Sequence, residues 1–368
     1  MFNSERLRIA RERRGLTQKA LAEKTGLTSR TISTYEKADI VDAVTNSTIA
    51  RIAAELKYPI EFFYKGDAPA LPVEAVSFRA MTKLSAQKRN SALRAGELVQ
   101  ELSAWLGSQF SIPQPNLPDC SFDNYCEPDK AARIVREHWG IGELSISNVV
   151  HLLEANGVRV FSLAENCLEV DAFSFWMNET PFVLLNTMKT PERSRFDAAH
   201  ELAHLVLHKY SSNNGREAEL EADHFASAFL MPERSVLANV PRMPSLQLLI
   251  TLKQKWKVSL GALVRRTFDL GLSTEWHYRQ LCIELSRRGF RTAEPEGMLE
   301  REKSLVLDKV FSALRRDGVR RSEILNALQL PLDEVSAMTF NNNFFMEAIE
   351  GERAVTSPRR SAHLSLVK

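Results

Sequence analysis

Apolar residues recur at helical spacing over most of the chain and alternate at strand spacing only in its middle. Near the start, Leu7, Ile9 and Ala10 fall among Arg6, Arg8, Arg11, Arg13 and Arg14 until Gly15 stops the pattern, which predicts a first short helix. Thr17 can cap a second helix through Ala20, Leu21 and Ala22 to a turn at Gly26, and a third is expected from 28 to about 36. Ile49, Ile52, Ala53 and Leu56 predict a fourth, closing a small all-α core with Leu21, Ile32 and Tyr35. Residues 66–72 read as a linker, 85–106 as a helical segment and the proline-rich 112–118 as a second break. From about 128, helical spacing at 131–139 and 147–154 gives way to short strands at 157–161 and 181–185, with a third at 171–176. Pro191 is expected to end the strand region, with helix from about 194 to 208, then a loop at 211–215 and another helix over 216–230 that stops at Met231-Pro232. Residues 233 to about 350 are helical by period.

These elements make the fold class α+β and predominantly helical: an all-α N-terminal bundle, a central domain with a small sheet, and a C-terminal helical region. At 368 residues the chain exceeds what one hydrophobic core usually organises. The expected divisions are 1–65, a linker and helical segment at 66–127, a central domain at 128–290, a helical region at 291–355 and a disordered tail at 356–368. Apolar content of 44% with 26% charged residues excludes a disordered chain and a disulfide scaffold. The net charge of +2 hides a basic start, since residues 1–40 hold nine Lys or Arg against five Asp or Glu. The N-terminus lacks the apolar stretch of a secretory signal and no apolar run reaches the roughly 18 to 20 residues of a membrane span, so a cytoplasmic protein is expected. Cys120, Cys126, Cys167 and Cys282 are scattered and read as reduced thiols without a metal role.

The chemistry concentrates at His200-Glu201-Leu202-Ala203-His204. Histidines four apart on a helix project from one face and can bind one Zn²⁺. Glu201 follows the first of them, where its carboxylate can take a proton from a water on the metal as general base. The implied reaction is hydrolysis. Composition alone yields such a string in about 1% of chains this long, so a third ligand is needed to make it a site. Tyr210 and Leu207 stand where a three-histidine pattern would require histidine and glycine, so a carboxylate is expected instead. The next helix offers Glu217, Glu219, Glu221 and Asp223. Glu219 and Asp223 share a face, so Glu219 can bind metal while Asp223 accepts the second N–H of a ligand histidine; Glu221 is the alternative ligand. Most acidic runs are solvated helix faces, and only the histidine pair upstream argues otherwise here. His208 reads as a structural or hydrogen-bonding residue and His224 as pointing elsewhere, and neither is assigned as a ligand. Tyr210 and the histidines outside the motif are candidates to stabilise an oxyanion, among which the sequence does not choose.

The run from His200 to His208, followed by Glu219-Leu220-Glu221-Ala222-Asp223-His224-Phe225-Ala226-Ser227-Ala228-Phe229-Leu230-Met231-Pro232, resembles the ImmA/IrrE-type metallopeptidases over roughly 130–290. That resemblance implies a zincin-like domain in which His200, His204 and Glu219 hold one zinc ion and Glu201 is the base. It also implies cleavage of a regulatory protein such as a repressor. Residues 4–56 resemble the Xre-type helix-turn-helix, through Leu16-Thr17-Gln18-Lys19-Ala20-Leu21-Ala22 and Ser29-Arg30-Thr31-Ile32-Ser33-Thr34-Tyr35-Glu36. One departure is Ala43-Val44-Thr45-Asn46-Ser47 where such domains usually carry a proline, which implies a looser loop and leaves the DNA-reading elements unaffected.

In a helix-turn-helix the N-terminal residues of the second helix face base edges, which places Thr28, Ser29, Arg30 and Ser33 there. Arg30 can pair with guanine or hold phosphate, and Gln18 is expected to touch phosphate. Arg11, Arg13, Arg14 and Lys19 are expected to add salt-dependent attraction to double-stranded DNA. A homodimer on paired half-sites is compatible with this reading. Two functions fit the whole: a DNA-binding regulatory zinc endopeptidase acting on a partner protein, or a transcription regulator whose metallopeptidase-like domain senses a ligand or metal without proteolysis. Glu201 favours the first, since sensing requires no base beside the metal. Mn²⁺ and Fe²⁺ also suit two histidines and a glutamate. Trp256, Val258, Leu260, Leu263 and Phe268 are expected in a core rather than a cofactor pocket.

Overall fold

The computed structural model describes residues 1–37, 44–72, 85–121, 127–163, 172–209 and 215–346. Cys126, Cys167, Tyr210, part of the 43–47 loop and the tail lie outside the described residues. Four short helices open the chain, α1 (Ser4–Arg13), α2 (Gln18–Thr25), α3 (Ser29–Tyr35) and α4 (Asn46–Leu56). Asn3, Thr17, Thr28 and Thr45 each cap one through a side-chain oxygen that accepts a backbone N–H. Gly26 ends α2 in the left-handed region at φ 63°, the conformation that makes the tight turn into α3. Leu7, Leu21, Ile32, Ile49, Ile52 and Leu56 fill the bundle core, and a 3₁₀ turn at Ile60–Tyr64 adds Phe62 and Phe63 beneath it.

The expected linker is not free. Leu71 is buried against Gly96 of the long helix α5 (Ala86–Gln109), where a Cβ would lie 2.5 Å from the leucine Cδ2. The proline-rich stretch is docked as well. Asn116 donates its backbone N–H to Asn156, and Gln114 passes so close to Gly157, at φ 82°, that a Cβ there would come within 2.2 Å of the Gln114 carbonyl.

Helices α6 (Pro128–His138) and α7 (Val149–Ala155) lead into a three-stranded sheet of β1 (Arg159–Leu163), β2 (Ala172–Met177) and β3 (Thr180–Asn186) in the order β1-β3-β2. β1 runs parallel to β3, and β2 antiparallel to it in a hairpin register of Met177 on Thr180. The two-residue turn between them holds Asn178 and Glu179 at φ 47° and 60°, the backbone that lets strands rejoin with their natural twist. Helices α8 (Pro191–Leu207) and α9 (Arg216–Leu230) pack together, with α8 lying on β2 and β3. α8 starts at Pro191 rather than near 194: proline's missing N–H and fixed φ suit a first helical position, and Thr190 caps it.

The helices α10 (Glu233–Asn239), α11 (Leu246–Trp256), α12 (Leu260–Asp269), α13 (Glu275–Arg287), α14 (Leu305–Arg316) and α15 (Arg321–Leu328) follow. α16 (Leu332–Met338) and α17 (Asn343–Met346) complete the described chain. Trp256, Val258, Leu260 and Leu263 are core residues, and Phe268 stacks on Tyr278. The C-terminal helices are clasped to the sheet domain by a reciprocal pair of caps. Glu154 of α7 accepts from Ser304, Leu305 and Val306 at the start of α14, while Glu302 accepts from Val149 and Val150 at the start of α7 and pairs with Arg195 of α8. α16 also touches both the N-terminal bundle and the sheet. Its Glu334 meets Arg13 at 2.8 Å and the Tyr58 hydroxyl at 3.0 Å, and the Ala337 carbonyl accepts from Ser162 of β1.

Candidate metal centre

α8 buries Ala198, Ala199, Leu202, Ala203, Leu205 and Val206 in the core, which fixes its rotation about its own axis. His200 and His204 then face α9, and their Nε2 atoms converge to 3.1 Å. Glu219, in the first turn of α9, brings Oε2 to 3.4 Å from His200 Nε2 and Oε1 to 3.5 Å from His204 Nε2. Among the described residues these three form the group whose ligand atoms lie close enough to hold a metal ion. Ligands about 2.0 to 2.1 Å from a tetrahedral zinc stand about 3.3 Å apart, so the three separations fit a zinc site that leaves a fourth position for water or substrate.

The ring nitrogens that face away from this point are engaged too. His200 Nδ1 lies 2.9 Å from Asp223 Oδ1. Glu221, the alternative ligand, sits away from the cluster and meets His208 Nε2 at 2.9 Å, while His208 Nδ1 lies 3.0 Å from His204 Nδ1. His224 is exposed. Burial opposes charge on His200, but hydrogen bonds to Asp223 and Glu219 and the charge of Glu201 outweigh it and push the imidazole up to about 10. Burial would raise Glu219, yet His200 and His204 hold its carboxyl well below the usual carboxylate range.

Glu201 is buried at 4% exposure, and its Oε2 accepts from the Ser174 hydroxyl at 2.6 Å. Ser174 escaped the sequence reading. The available signal was a small hydroxyl between Phe173 and Phe175, at a strand position whose side chain turns into the core.

In the N-terminal bundle Thr28, Ser29 and Arg30 are exposed at the start of α3 and Ser33 is half-buried. Thr28 Oγ1 is engaged as the helix cap, accepting from Thr31. Gln18 donates to Glu36 at 2.7 Å, so the expected phosphate contact has an internal partner. The basic cluster of α1 is a correction to the sequence reading. Arg11 is buried against Glu36, Arg13 against Glu334, and Arg14 meets Asp333 at 2.5 Å, because a long guanidinium at a buried position is stable only when paired. Of the four cations, Lys19 remains well exposed, 3.9 Å from Glu23.

Residues 7–63 match the family model described as helix-turn-helix, and residues 153–268 match the IrrE N-terminal-like domain. No curated protein matches the chain. No helix among the described residues is long and apolar enough to cross a membrane. The chain thus joins an Xre-type helix-turn-helix domain to an ImmA/IrrE-type metallopeptidase-family domain.

Proposed function

We propose that the protein is a DNA-binding regulatory zinc endopeptidase that cleaves a partner regulatory protein such as a repressor. The observation that carries this reading is the convergence of His200, His204 and Glu219 at tetrahedral separations beside a buried glutamate. A zinc ion bound there would supply Lewis-acid activation of water and of the scissile carbonyl. His200 and His204 would hold it through Nε2, and Glu219 would supply negative charge. Glu201 is the proton acceptor, and its fixed carboxylate can return that proton to the leaving amine. Ser174 holds one carboxylate oxygen of Glu201 and so helps to orient the group. Arg30, with Thr28, Ser29 and Ser33, presents polar groups for the major groove, and Lys19 adds phosphate attraction.

The test is to incubate the zinc-loaded protein with regulators encoded beside it and to follow cleavage, with Glu201→Gln as the control. A discrete cut that disappears in the variant supports the endopeptidase. A second reading, a regulator that senses metal or ligand without proteolysis, is favoured by α16, which touches both the DNA-reading bundle and β1. Metal binding that alters DNA affinity while no candidate is cut would favour it.

A further inference from the structure

The two motif histidines are braced by different means. His200 meets a carboxylate directly, through Asp223, whereas His204 meets a second imidazole. A neutral imidazole has one N–H and one lone pair, so a histidine that offers Nε2 to a cation must carry its proton on Nδ1 and needs an acceptor there. For His204 that neighbour is His208 Nδ1 at 3.0 Å. His208 Nδ1 must then be a lone pair, which puts the His208 proton on Nε2, where Glu221 Oε2 accepts it at 2.9 Å. The opposite arrangement would set two N–H groups against each other. His208 is 8% exposed at the side chain, so water cannot readily replace it, whereas Glu221 at 44% ends the series at the surface.

We infer that His208, held by Glu221, is a positioning residue that fixes the tautomer and ring angle of His204 for metal binding. This rests on reading His200, His204 and Glu219 as the metal centre. A histidine that merely fills space at the end of α8 would be replaceable by leucine. An acceptor at the Nδ1 position is what the relay requires, and the Oδ1 of asparagine can occupy it.

The experiment is zinc affinity of the full-length protein by competition with a chromophoric chelator, which needs no substrate. His208→Leu is expected to weaken zinc about ten- to a hundred-fold, as loss of such partners typically does. His208→Asn should restore most of the affinity. Glu221→Gln should cost less than about ten-fold, because water can partly stand in at the exposed end, and should cost nothing further beside His208→Leu. Should the leucine variant fail to fold, the asparagine background serves, since Glu221→Gln must be silent there too. Wild-type affinity in His208→Leu, an asparagine variant as weak as leucine, or additive losses would each overturn the relay while leaving the metal centre intact. An unaltered protein that binds no zinc would overturn both.

Discussion

The Ser174 hydroxyl lies 2.6 Å from Glu201 Oε2, joining strand β2 to the helix that carries both motif histidines. A carboxylate that is to act as general base must be held toward the proton it takes, and on the proposed reading this contact helps to hold Glu201 there. Ser174→Ala is expected to lower cleavage about ten-fold while zinc content stays unchanged, against about 100- to 10,000-fold for Glu201→Gln. Cleavage rates and bound metal measured on the same preparations check this. Loss of metal in Ser174→Ala would show that the serine supports the fold of the site instead.

The arginines of α1 separate two kinds of basic residue that look alike in sequence. Arg30→Ala should reduce the slope of log K against log salt by about 0.9 if it holds a phosphate, or relax base preference if it pairs with guanine. Arg14→Ala should leave the slope unchanged, since its guanidinium is spent on Asp333 and on the Leu56 carbonyl. Titration of operator DNA at several salt concentrations distinguishes them.

The pair Arg13–Glu334 links the DNA-reading bundle to α16, with Glu334 3% exposed. Removing one partner leaves a buried charge, so Glu334→Ala is expected to destabilise by about 3–5 kcal/mol. Asp333→Ala, at a side chain 58% exposed, should cost less than about 1 kcal/mol. Urea unfolding of both variants makes the comparison.

Glu154 yields a pH prediction. Burial pushes its carboxyl up to about 7, against the hydrogen bonds from Ser304, Val306 and Leu305. Because the folded state holds this proton more tightly than the unfolded state, the contribution is present below about 4.5 and is lost as pH rises toward 7. The stability of the unaltered protein relative to Glu154→Gln should therefore fall by something on the order of 3 kcal/mol across that window. Chemical denaturation at pH 4.5, 6 and 7.5 measures it; a difference that does not change with pH would contradict the assignment.

What the sequence made legible was local. The four-residue spacing of His200 and His204, the Thr17 cap in the N-terminal bundle and the bounds of the acidic helix all follow from periodicity and end signals within one element. Ser174, the His208 relay and the reciprocal caps made by Glu154 and Glu302 depend on which elements meet, and no local pattern carries that. Arg13 and Arg14 illustrate the difference: Arg11, Arg13 and Arg14 beside a helix-turn-helix read as attracting DNA, yet the partners of two of them stand more than 300 residues away in the chain.

The central claim is tested most directly by elemental analysis of the purified protein beside Glu219→Ala, both prepared with zinc in excess. The account predicts about one zinc per chain in the unaltered protein and its loss in the variant. No zinc in the unaltered protein, or full occupancy without Glu219, would contradict it.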